Sequence, residues 1–159
     1  MAFQVGSKVG VDLTQSQTAA QFSLGDRVDG SANSKWVYVY ASGAVALGDC
    51  VTISATGTAA TATAARVADP SYEIGFAQFA LGAGEYGWVA QAGQGLTVAV
   101  SATASSLAVL YVATTAGKLS TTASSGTLTG IQIANVSSTA TTTTTTGTLT
   151  FPKCVTPGF

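Results

Sequence analysis

Histidine is absent from this 159-residue chain, and its six Lys and Arg and seven Asp and Glu leave a formal net charge of −1. Charged residues make up only 8%, against about 25% in a typical soluble domain. A surface this poor in charge must be covered by Thr, Ser, Gly and Ala, and near-zero net charge favours association. It fits a neutral, Thr-rich monomer, or, the preferred reading, a surface much of which is buried against partners. The cations stand singly at Lys8, Arg27, Lys35, Arg66, Lys118 and Lys153. No basic stripe can neutralise a phosphate backbone, so nucleic acid is excluded as a partner. No apolar run approaches the ~18 residues of a membrane-spanning helix, and no membrane partner is expected. The opening residues 1–6 (MAFQVG) lack a basic region followed by an apolar block, so the chain is expected to stay inside the cell that makes it. Cys50 and Cys154 allow one bridge arithmetically, but without a secretory signal two reduced, mostly buried thiols are expected. Zinc wants four ligands, and no histidine is there to join two cysteines.

The same absences argue against an enzyme. A serine or cysteine nucleophile needs a base beside it, and neither histidine nor a Ser-x-x-Lys motif is present. Glu73 and Glu85 flank the hairpin signal of residues 74–93, and Asp26 and Asp29 flank a turn. A glycosidase-like carboxylate pair is conceivable there, but all four sit naturally in solvated turns. Asp26, Asp29 and Asn33 could offer oxygens to calcium, with too few acidic residues to complete a site. Gly82-x-Gly84-x-x-Gly87 matches a dinucleotide fingerprint, yet it runs directly into the strand-like YGWVAQ instead of a helix. The sequon Asn135-Val136-Ser137 carries no meaning in a chain that is not secreted. No catalytic residue, cofactor or metal site is expected.

What is present is strand signal. Residues 1–33 read as an extended N-terminal arm, and 34–159 as a single β domain with a Thr-rich C-terminal tract. Residues 35–42 (KWVYVYAS) alternate an aromatic face of Trp36, Tyr38 and Tyr40 with an aliphatic face of Val37, Val39 and Ala41, so both faces should be covered. A turn at Gly48-Asp49 leads into a strand over 50–53, and the Thr/Ala tract 55–65 reads as loop or irregular strand. Residues 74–93 (IGFAQFALGAGEYGWVAQAG) form a β-hairpin signal around a turn at 82–85, with Tyr86 and Trp88 on one face and Gly87 and Val89 on the other. Gly93 and Gly95 are expected to break the chain before strands at 96–100, 107–113, 128–134 and 147–151, the last stopped by Pro152 and Pro157. The threonines within 137–146 suit either a low-complexity linker or a solvent-facing strand. The sum is an all-β fold, a small barrel or sandwich of about seven to nine short antiparallel strands, with almost no helix.

Three segments, at 36–51, 74–93 and 110–119, give the chain a resemblance to a group of tailed-bacteriophage virion proteins. In that group a "wVyv-ASGA-a-Gd-V" strand pair precedes "iGvAq-a...GeYGWV-v-G", and an "a-LY--tTaGkL" segment follows. The likeness covers roughly residues 23–136, with YGWV its most specific element. It implies a capsid decoration (cement) protein: β-rich, a homotrimer, located on the capsid exterior and clamping neighbouring major capsid protein subunits. Trp36, Tyr38, Tyr40, Tyr86 and Trp88 are the candidate interface anchors, and each fits plain core packing as well. The alternative function is another virion component, a tail or fibre protein or a host-surface carbohydrate-binding β-sandwich with Trp36 or Trp88 as its stacking platform.

Overall fold

The computed structural model describes residues 11–101, 108–123, 127–134 and 143–155. The first ten residues of the expected arm, Leu107, the sequon at Asn135 and the threonines before Thr143 lie outside them. The described chain is all-β: ten strands of one mixed sheet, with a single-turn helix α1 (Ala64–Val67) and one 3-10 turn (Ser31–Asn33). Strands β2 (Lys35–Ala41) and β3 (Cys50–Ile53) fall where the Val/Tyr and Val/Ile alternation places them. The Thr/Ala tract supplies β4 (Thr58–Thr61) and then α1, whose N-cap Thr63 accepts the Arg66 N–H at 3.4 Å.

Two strands organise the rest. In β6 (Tyr86–Val100), the first half pairs antiparallel with β2 in the register Tyr40↔Tyr86, Tyr38↔Trp88 and Trp36↔Ala90. The second half pairs antiparallel with β10 (Thr143–Val155). Around these, β2 pairs with β4, β4 with β3, β3 with β5 (Glu73–Ala77), β5 with β6, and β6 again with β2. On the other side β6 pairs with β10, β10 with β9 (Thr127–Ile133), β9 with β7 (Leu110–Val112), β7 with β8 (Leu119–Ser120), and β8 again with β6. The pairings thus form two closed circuits sharing β6. The β2–β4 and β6–β8 pairings are parallel, so the sheet is mixed and not wholly antiparallel as expected. A short β1 (Arg27–Asp29) adds to the free flank of β2.

Three local expectations are corrected. The hairpin over 74–93 is not a two-armed ribbon: β5 and β6 pair only at Phe76↔Ala90 and Ala77↔Val89, and residues 78–85 bow away to bridge Val45 through Leu81. Its turn is nevertheless at 82–85, with the Glu85 N–H donating to the Gly82 carbonyl at 3.1 Å and Gly84 at φ +85°, the conformation a type II turn demands at its third residue. Gly93 and Gly95 do not end the strand; β6 carries an extra residue there, opposite the step from Gly147 to Leu149, and continues to Val100. Pro152 does not stop β10 either, because it falls in a register break between Leu149 and Lys153 where no ladder N–H is required.

Alternation sorts the apolar side chains into two clusters. One gathers Val37, Val39, Ala41, Val51, Ile53, Ala59, Ala77 and Val89 from the five strands of the first circuit. The other takes the opposite face, Trp36, Tyr38, Phe76 and Trp88, and runs on through Val98, Val100, Leu110, Leu119, Leu128 and Leu149 of the second. Both faces of β2 are therefore covered, and by this chain itself. From Thr143 onward the threonines form part of β10, alternating half-buried and exposed, as the strand reading of the tract requires.

Candidate functional site

The five candidate anchors converge on the strand pair β2–β6 but differ in what they offer a partner. Trp88 and Tyr38 are fully buried and Trp36 is 8% exposed, so these three belong to the chain's own core. Of the five, Tyr40 and Tyr86 are half-buried. Ring centroids lie 5.0 Å apart for Tyr38 and Trp88, 6.3 Å for the stacked Tyr38 and Tyr86, and 5.2 Å for Tyr40 and Tyr86. The ladder thus runs from the core out to a tyrosine pair at its solvent end. Burial of Trp36 and Trp88 removes both expected stacking platforms for a sugar.

The lead-in helps to cover this ladder. Gln17 exchanges two backbone hydrogen bonds with Tyr86, each 2.8 Å. Phe22 packs edge-on against Tyr38 at 5.3 Å and tilted on Trp88 at 5.4 Å. The Tyr38 hydroxyl donates to Gln17 Oε1 at 2.5 Å and accepts the Gln21 N–H at 3.1 Å. From Val11 onward the segment read as an arm is therefore docked on its own chain, and Val11 and Leu13 also pack against the core.

The polar groups singled out in the sequence are occupied individually. Lys35 pairs with Asp29 at 2.8 Å, while Asp26 accepts the Ser23 N–H. Glu85 accepts the Gly82 N–H at 2.7 Å, and that bond first, then the Ser16 hydroxyl, lowers its pKa from the ordinary 4.5. Glu73 is held by both Nη2 contacts of Arg27, at 2.7 and 2.8 Å. Among the described residues no cluster of His, Cys, Asp or Glu could hold a metal ion. Cys50 and Cys154 are free thiols; burial pushes both upward in pKa, and Cys50 lies fully within the core.

Two polar constellations were not foreseen. Asp49, 5% exposed, pairs with Lys118 and accepts the Ala46 N–H at 3.0 Å, tying the β7–β8 turn of the second circuit to β3 of the first. Backbone bonds reinforce that joint, from Cys50 N–H to the Gly117 carbonyl and from Gly117 N–H to the Ala62 carbonyl. The other is a triad in which Gln91, buried within β6, accepts from Arg27 Nη1 at 2.6 Å and donates to Glu73 at 2.8 Å. Gln91 is the unopposed residue where the β2–β6 register shifts; an isolated polar residue amid YGWVAQAG was its only signal in the sequence. No family model matches the chain, and no curated protein or solved structure matches it significantly.

Proposed function

We propose that this chain is a structural virion protein that binds the outside of an icosahedral phage capsid as a homotrimer and cements neighbouring major-capsid subunits. The observation that carries the reading is the position of the YGWV stretch. The most specific part of the resemblance forms the first residues of β6, the strand that both circuits share. We read those circuits as two small barrels fused along β6. Closed pairing satisfies strand edges internally, which leaves side-chain area as the means of binding. A cement protein needs that area, about 1,200–2,000 Å² in a specific interface, more than it needs a pocket. Tyr40 and Tyr86 are its aromatic anchors, since aromatic residues are enriched at interface cores. Many copies on one shell convert modest contacts into firm retention.

Rebinding tests the proposal. Purified chain mixed with particles stripped of it should co-sediment with capsids at saturating, lattice-fixed stoichiometry, and Tyr40→Ala with Tyr86→Ala should weaken that binding while the fold survives. Attachment to isolated tails or host cells with none to capsids would replace this reading with the tail or fibre alternative.

A further inference from the structure

A cavity of about 550 Å³ opens between β1, β5 and β6 on one wall and the β10 irregularity on the other. This lies within the roughly 300–1,000 Å³ usual for small-molecule clefts. Both walls are built from breaks in strand register. On one side Gln91 is the bulged residue of β6; on the other, residues 150–152 of β10 stand against Gly130 alone. Bulges re-aim side chains and recur beside functional sites. At the second break Phe151 adopts φ +48° and remains 49% exposed. A bulky residue in the left-handed region is strained, and here the strain holds an aromatic ring on the cavity wall and out of the core.

The chemistry of the lining narrows the ligand. Arg27, Glu73 and Gln91 form a closed triad of planar groups linked by hydrogen bonds of 2.6 to 2.8 Å. The Glu73 carboxylate has about four lone-pair sites, and three of them are used. The Gln91 amide retains one N–H beyond its bond to Glu73. Asp69 and Lys153 add one charge of each sign, so the lining is neutral overall. The cationic groups are thus offset by carboxylates, which disfavours an anion, whereas hydroxyls can donate and accept at the same spot. Tyr72, Phe151 and Pro152 supply apolar surface beside these polar groups, suited to the C–H face of a ring.

We infer that this cavity is a binding site for a neutral saccharide unit, its hydroxyls on the Arg27–Gln91–Glu73 triad and its ring against Phe151 and Tyr72. The site is independent of the capsid reading and of Trp36 and Trp88.

Ligand-observed NMR on the full chain tests it, with the methyl glycosides of glucose, galactose, mannose and N-acetylglucosamine as probes and inorganic phosphate as the anionic control. At least one glycoside should bind saturably and more tightly than phosphate. Phe151→Gly relieves the left-handed strain, so it should leave the melting temperature unchanged or raised while weakening binding at least about tenfold. Tyr72→Ala should weaken it in the same direction. Competition of the bound glycoside by a purified bacterial surface polysaccharide would assign the site to a unit of a glycan chain; free-sugar binding without such competition would assign it to the free sugar. Absence of saturable binding by all four glycosides, tighter binding of phosphate, or unchanged affinity in a folded Phe151→Gly would overturn the inference.

Discussion

Trp88 illustrates how one side chain can dominate this core and still be imperfectly satisfied. It is fully buried against Tyr38 and Phe22, so Trp88→Ala should cost about 3–5 kcal/mol in denaturant unfolding. Its indole N–H, however, has no hydrogen-bond partner among the described residues. A buried donor without a partner carries a desolvation penalty of about 1–3 kcal/mol, which Phe does not incur. Trp88→Phe leaves a smaller cavity and gives up no hydrogen bond, so it should cost clearly less than Trp88→Ala; equal losses in the two variants would contradict this. Glu85 gives a second test at this scale. Its pKa is lowered by the Gly82 amide, so its contribution to stability is complete above the ordinary 4.5 and is lost as pH falls through the lower folded value. Glu85→Gln should flatten the acid limb of the stability profile, and an identical acid limb in both proteins would refute the linkage.

Between elements, the joint at Asp49 and Lys118 matters most. Lys118→Met would leave a carboxylate only 5% exposed without its cation, and breaking such a pair costs about 3–5 kcal/mol. Gly117 beside it has φ +77°, and a Cβ there would come within 2.8 Å of Asp49 Cγ. Gly117→Ala should therefore also destabilise, and calorimetry showing either variant at parental stability would remove the joint from the account. The elements themselves were unequally legible in the sequence. Strands β2 and β3 were readable because β-branched and aromatic residues alternate with the strand period over their whole length. Continuity of β6 through Gly93 and of β10 through Pro152 was not, since both residues ordinarily end strands and only a partner strand can absorb them in a bulge. The Arg27–Gln91–Glu73 triad joins residues 46 and 64 positions apart, which no local pattern reveals. Nor could alternation tell which aromatic rings the core takes. It placed Trp36, Tyr38 and Tyr40 on one face, and only tertiary packing buried two of them and left Tyr40 half-buried.

At the largest scale, the two circuits of the described residues share β6, and the two apolar clusters lie on opposite faces of β2 and the first half of β6. The chain carries 8% charged residues and a net charge of −1, and near-zero net charge in general favours association, in line with the proposed assembly. The Tyr86–Val89 stretch lies at the start of the strand that both circuits share, which is where the proposed shell-decorating role places its weight. The proposed trimer, capsid-exterior position and major-capsid partner stand or fall with one proposal, that this chain decorates the head.

The most direct measurement is a cryo-EM map of intact particles, compared with particles from which the chain has been deleted. The account predicts density for this fold on the outer capsid surface, in threefold clusters bridging adjacent major-capsid subunits, and missing from the deletion. Density confined to the tail, or identical capsids with and without the chain, would contradict it.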